Sequence, residues 1–206
     1  MPLIEPGLKS QVRWDSGAWI FLDVGFSSSL RSCGFACGEE EPRDLRFGDA
    51  RREILECVAK SDSTINLLIE APLSVCFDSK GNPKGRRVER EGGKIRYWYS
   101  GPGCSVMVAA MYLIRDIDRT YPDAHVRLFE GFVSYKERNS RSSHADDVRQ
   151  LRDVVKNPIR FSNCILSPDE LKSEPTDLSC SAFPLRESDC GVPVVIRPRV
   201  GSRASS

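Results

Sequence analysis

Three apolar runs in this chain each carry one acid near their end: AWIFLDVGF (18–26), TINLLIEAP (64–72) and HVRLFEGFV (125–133). They are rich in β-branched and aromatic residues, and glycine or proline lies at or near the end of each, so each is expected to form a buried strand. A carboxylate inside such a strand loses its water and must be met by a proton, a cation or hydrogen-bond donors. A single acid of this kind reads equally well as a structural exception, held by a backbone amide or an arginine. Three of them at strand ends, Asp23, Glu70 and Glu130, point to a shared site, because ligand crevices of α/β sheets open at the carboxyl ends of strands.

The segments between these runs complete an alternating order. RSCGFACG (31–38) is expected to pair back on the first strand as a hairpin, and DLRFGD (44–49) to add a short third strand. DARREILECVAK (49–60) has Ile54, Leu55 and Val58 at helical spacing, with Asp49 placed to cap its start. SVMVAAMYLI (105–114) is apolar on nearly every side, as a helix buried against a sheet would be. A last helix is expected over 142–156, and VPVVIRP (192–198) is strand-like. Strands alternating with helices imply an α/β fold, a mixed central sheet flanked by helices. The expected division is an N-terminal extension (1–16), a core (17–157) with a basic insert at 78–103, and a C-terminal extension (158–206) packed on the core and flexible at its end.

The last helix, SSHADDVRQLRDVVK, carries His144, Asp146 and Asp147. At about 100° per residue, Val148, Leu151, Val154 and Val155 define one apolar face. His144 falls within that face and Asp147 at its edge, while Asp146 points almost opposite. Ser143 at the N-cap with an acid three residues on resembles a capping box, so Asp146 has a structural role open to it. Asp23, Glu70, Asp147 and His144 are then three hard oxygen ligands and an imidazole, a set suited to Mg²⁺ or Mn²⁺. Two such ions a few ångströms apart activate a water and stabilise the leaving oxygen in phosphodiester cleavage. Glu130 and Asp146 stand as a second tier.

An acid in the first strand (LDVGFSSS), an acid in the fourth (IEAP) and a His-x-x-Asp helix at the end (HADD) resemble the RNase H-like fold, and within it the RuvC-type resolvase branch. The chain looks closer still to a set of uncharacterised predicted nucleases of that fold. Those share an acid-Pro element after the fourth strand, a glutamate in the fifth (LFEGF) and a closing strand similar to CGVPVVI. The resemblance covers roughly residues 17–198. It implies a catalytic and metal-binding site of Asp23, Glu70 and Asp147, with His144 as an extra ligand or proton carrier. The sequence departs from the pattern at DDV, where Asp-Ala is usual.

Net charge is +1, so any basic surface must be local. The insert supplies one: Lys80, Lys84, Arg86, Arg87, Arg90, Lys94 and Arg96 against Glu89 and Glu91, followed by Tyr97, Trp98 and Tyr99. Positive charge beside aromatic faces suits a nucleic-acid strand, DNA or RNA, and Lys84, Arg86, Arg87, Arg90, Lys94 and Arg96 are the candidate contacts. The alternative is a solvated loop whose aromatics anchor the next helix. None of the eight cysteines forms a C-x-x-C pair, so free thiols in a reducing compartment are expected. The alternative there is a metal site from Cys164, Cys180 and Cys190. The opening MPLIEPGLKS lacks the apolar run of a signal peptide, and no stretch approaches the ~18 apolar residues of a membrane helix. A cytoplasmic protein away from membranes is expected, with a protein partner or a second copy of the chain as further candidates.

The leading expectation is a metal-dependent nuclease. Its competitor is a nucleic-acid- or protein-binding module that keeps the fold without catalysis. DVGFSSS also resembles the first phosphate loop of actin-like kinases, but those need two lobes and a second loop. A serine or cysteine hydrolase is disfavoured, with no G-x-S-x-G elbow and two histidines in all.

Overall fold

The computed structural model describes residues 4–25, 32–93, 101–133, 143–181, 184–185, 188–189 and 191–198. Its order is β1 (Ile4–Pro6), β2 (Ala18–Val24), β3 (Cys33–Cys37), β4 (Arg43–Leu45), α1 (Phe47–Lys60), β5 (Ile65–Glu70), β6 (Ser74–Phe77) and β7 (Pro83–Lys84), then α2 (Pro102–Thr120), β8 (Val126–Gly131) and α3 (His144–Lys156). Short strands close it: β9 (Ile165–Leu166), β10 (Leu178–Ser181), β11 (Pro184–Leu185), β12 (Ser188–Asp189) and β13 (Val195–Ile196).

The main sheet runs β4-β3-β2-β5-β8-β13-β9, with β1 also paired to β8. β2, β5 and β8 are parallel to one another, while β3 and β4 form an antiparallel meander on β2. The chain is therefore α/β with a mixed central sheet flanked by helices. Both flanks of the expected core contribute strands to this sheet: β1 pairs parallel along the first half of β8, and β13 along its end. A smaller sheet, β10-β6-β7, holds the first part of the insert. β11 and β12 pair as a separate two-stranded ribbon.

Strand alternation divides the core in two. Ile20, Leu22 and Val24 of β2, Ile65, Leu67 and Ile69 of β5, and Val126 and Leu128 of β8 pack with α1 and α2. Trp19 and Phe21, Leu68, and Phe129 face the other way and pack with α3. Both faces of the parallel strands are covered, which is why β2 and β5 are nearly all apolar rather than alternating.

Two helices differ from expectation. Asp49 lies inside the first turn of α1, where it pairs with Arg52 at 3.0 Å, and Arg46 occupies the cap position. α2 is longer than 105–114 and is not buried all round. Val106, Ala110, Leu113, Ile114 and Ile117 pack inward, whereas Val108, Met111 and Tyr112 are exposed. Among the described residues, no helix is long and apolar enough to cross a membrane.

Candidate metal centre

Asp23 and Glu70 end neighbouring parallel strands and are direct register partners. Asp23 follows the parity of Trp19 and Phe21, and Glu70 that of Leu68, so both side chains project to the face covered by α3. Both are buried. The same parity takes Glu130 away. Its register partner is Ile69, which packs on the α1–α2 side, so Glu130 projects through the opposite face of the sheet.

α3 arrives over this face with its first turn. Ser143 caps it: its hydroxyl accepts from the Asp146 amide at 3.2 Å, and Asp146 returns the bond by accepting from the Ser143 amide at 2.8 Å. Asp146 also pairs with Arg149 at 2.6 Å. Those capping bonds hold the Asp146 carboxyl below its ordinary range. One residue on, Asp147 is buried against the sheet with Val148 and Leu151. The two adjacent aspartates thus diverge as the helical register requires.

The close approach of α3 depends on two glycines. A Cβ at Gly34, opposite Asp23 on β3, would lie 2.1 Å from the His144 carbonyl oxygen. A Cβ at Gly25, just past β2, would lie 2.1 Å from the His144 ring. No side chain fits in either gap. Asp44 fixes the turn from the side, accepting from the Ala145 amide at 2.8 Å. Sequence reasoning passed over all three. Gly34 was findable as a break in an otherwise apolar strand and Gly25 as the residue that ends one; Asp44 carries no such signal.

The result is a cluster. His144 Nδ1 lies 2.8 Å from Asp23 Oδ2, and an ionised carboxylate takes that bond as acceptor. Ligand atoms of Asp23, His144 and Asp147 all lie within 4.8 Å of one another. Glu70 accepts from the Val133 amide at 3.0 Å and also hydrogen-bonds Asp23. Burial, then the charge of Asp23, push the Glu70 carboxyl well above its ordinary range. Burial opposes ionisation of Asp23 as well, but its hydrogen bonds with His144, Glu70 and Asp147 outweigh it and hold Asp23 low. The pair therefore favours a proton shared between them, with Glu70 the more basic member. A divalent ion bound among carboxylates this crowded would supply the positive charge that a shared proton otherwise supplies. Asp23, Asp147 and His144 offer ligand atoms close enough together to hold a metal ion, with Glu70 beside them.

The remaining expected residues lie elsewhere. Arg86 is fully buried; its Nη2 lies 3.1 Å from Glu89 and 2.8 Å from Glu130, and its Nη1 donates to Ser74 at 2.9 Å. The Leu73 amide also donates to Glu130, at 2.9 Å. Arg86 is thus an internal tie rather than a phosphate contact, and Glu130 is its counter-ion rather than a member of the centre. Lys84 is likewise taken, 2.8 Å from the buried Asp177. Arg87 and Arg90 are exposed. Lys94 and Arg96 lie outside the described residues, as do Tyr97, Trp98, Tyr99 and Cys190. Cys164 is buried and Cys180 half-buried, both as free thiols.

Comparison with known proteins adds no constraint: no family model, no curated protein and no solved structure matches the chain.

Proposed function

We propose that this chain is a metal-dependent nuclease of RNase H-like fold, hydrolysing phosphodiester bonds of nucleic acid. One observation carries the reading: acids from the first and fourth core strands are register partners, and the last helix brings His144 and Asp147 onto them. Those are the residues that the resemblance requires to meet, although they are spread over more than a hundred positions of sequence.

In this reading Asp23 and Asp147 would hold the cation, Glu70 would stand beside it as a further carboxylate ligand, and His144 orients Asp23 through Nδ1. The cation, when bound, supplies Lewis-acid stabilisation of charge developing on the phosphodiester oxygens. His144 is part-exposed, with 29 % of its side chain accessible, so its ring can also pass a proton to or from substrate. Arg87 and Arg90 give the exposed positive charge of the insert, and they contribute affinity rather than chemistry.

The test is cleavage of a mixed panel of single- and double-stranded DNA and RNA with Mg²⁺, with Mn²⁺ and with excess EDTA. Cleavage with either ion that stops in EDTA is the expected result. Wild-type protein that cleaves equally well in EDTA would overturn the metal-dependent mechanism. Replacing Arg87 and Arg90 by Ala should weaken binding and lower the slope of log affinity against log salt by up to about 2. An unchanged slope would remove these arginines from the interface.

A further inference from the structure

Eight cysteines are spread along the chain, and the fold turns two of them toward each other. Cys37 ends β3 on the side that carries Cys33 and Phe35, which is the side packed with α1. Cys57 lies three residues beyond Ile54 and seven beyond Ala50, both buried positions on the sheet-facing stripe of α1. Both thiols are half-buried, and their side chains hydrogen-bond each other. Cys33, four residues back on the same face, is fully buried, and burial pushes its thiol up to about 11. Such a thiol is inert at neutral pH.

We propose that Cys37 and Cys57 form a reversible disulfide joining the end of β3 to α1, with a low-molecular-weight disulfide as oxidant. The Cys37 thiolate attacks one sulfur of that disulfide; the S–S bond breaks, a bond to Cys37 forms, and the first small thiolate leaves with the proton Cys37 gave up. Cys57 then loses its proton and attacks the Cys37 sulfur, and the second small thiolate departs and is protonated. Two protein thiols are oxidised and one small disulfide is reduced to two thiols.

The order of attack follows from the surroundings. The hydrogen bond from Cys57 holds the Cys37 thiol below its ordinary value, while burial and the charges of Glu40 and Glu53 work against this. The same bond pushes Cys57 far up, so Cys57 waits until Cys37 has been converted. Arg43 lies 3.0 Å from Glu53 and offsets part of the negative charge beside the pair. β3 also pairs with β2 at Gly34 opposite Asp23, so the bridge would brace, from the α1 side, the strand against which α3 seats His144.

The experiment incubates the full chain with oxidised glutathione, alkylates free thiols, and maps cysteine-containing peptides by mass spectrometry. A peptide pair joining Cys37 to Cys57, lighter by two hydrogens and lost on treatment with dithiothreitol, is the expected result. Cys57→Ser should trap glutathione on Cys37. The oxidised wild type should melt about 5–10 °C above the reduced form, because the bridge closes a loop of roughly 20 residues. Full alkylation of both cysteines at an oxidising glutathione ratio would overturn the proposal, as would a bridge from either one to another cysteine.

Discussion

The sheet buries two groups of acids, one on each face, and they are built in opposite ways. On the α1–α2 side, Glu130 and Glu89 are gathered around one guanidinium: Arg86 reaches both, and amides of Leu73 and Arg86 itself supply further donors. On the α3 side, Asp23, Glu70 and Asp147 are turned toward one another, with an imidazole among them. The first group is an ion network that holds the insert to β8. The second is a concentration of negative charge relieved by a shared proton. Burial alone does not separate a structural acid from a functional one. What separates them is whether the carboxylate is met by a fixed cation or by other carboxylates.

The comparison breaks most sharply on activity. Asp23→Asn or Asp147→Asn should lower divalent-dependent cleavage by about a thousandfold or more. Asp147→Asn should leave the thermal midpoint near that of wild type, whereas Asp23→Asn also gives up the ionised carboxylate that His144 meets at 2.8 Å and should lower it. Glu130→Gln should leave the rate per folded molecule unchanged. A Glu130→Gln protein that folds but does not cleave would show that the two faces are not functionally separate.

The second test reads stability. Arg86→Met strands two buried carboxylates, and breaking a buried pair in this way costs about 3–5 kcal/mol. Urea unfolding at pH 7 measures it. The loss should shrink as pH falls and Glu89, whose carboxyl burial pushes up, takes up a proton. A loss under 1 kcal/mol would mean that Arg86 is not the tie that holds the insert.

Much of the α3-side group was legible in the sequence because each signal was local. Asp23 and Glu70 stand out as acids in apolar strands, and the 3.6-residue period alone parted Asp147 from Asp146. Glu130 gave the same local signal and was misplaced. β8 is covered on both faces, so its pattern does not show which way residue 130 points; only the register with Ile69 does, and register is not local. Arg86 failed for a related reason. It sits in a polar, basic stretch that reads as solvated, and its counter-ion Glu130 lies 44 residues away. The outward face of α2 was hidden because Val108, Met111 and Tyr112 look like core by composition.

A third test follows from the shared proton, in metal-free protein with EDTA present. Glu70 has a folded-state pKa well above its ordinary 4.5. Its contribution to stability is full below that ordinary value and is lost as pH rises through the folded one. Asp23 is held below its ordinary 3.8, so its contribution is present above 3.8 and is lost only as pH falls through the lower folded value. In the window from pH 4.5 upward the Glu70 effect therefore outweighs that of Asp23. Glu70→Gln mimics the protonated form throughout. Its thermal midpoint should gain on wild type as pH rises across that window. Parallel curves would sink the shared-proton account.

The smallest effect sharpens the comparison within one helix turn. Asp146 and Asp147 are adjacent and chemically identical, so changing each to Asn holds chemistry constant and varies direction alone. Asp146 works for the helix: its carboxylate accepts from the Ser143 amide and lies beside Arg149. Asn can still cap, and charge near an exposed helix start contributes modestly, so Asp146→Asn should cost about 0.5 kcal/mol and Asp146→Ala about 1 kcal/mol. Cleavage should stay within a factor of about three of wild type, because the cap is weakened while the first turn remains held by Asp44 at the Ala145 amide and by Val148 and Leu151 in the core. Asp147→Asn should do the reverse, losing cleavage and keeping stability. Measuring turnover and thermal midpoint for both variants side by side decides the matter: if Asp146→Asn abolishes cleavage and Asp147→Asn does not, α3 presents its other face to Asp23, and the centre described here is wrong.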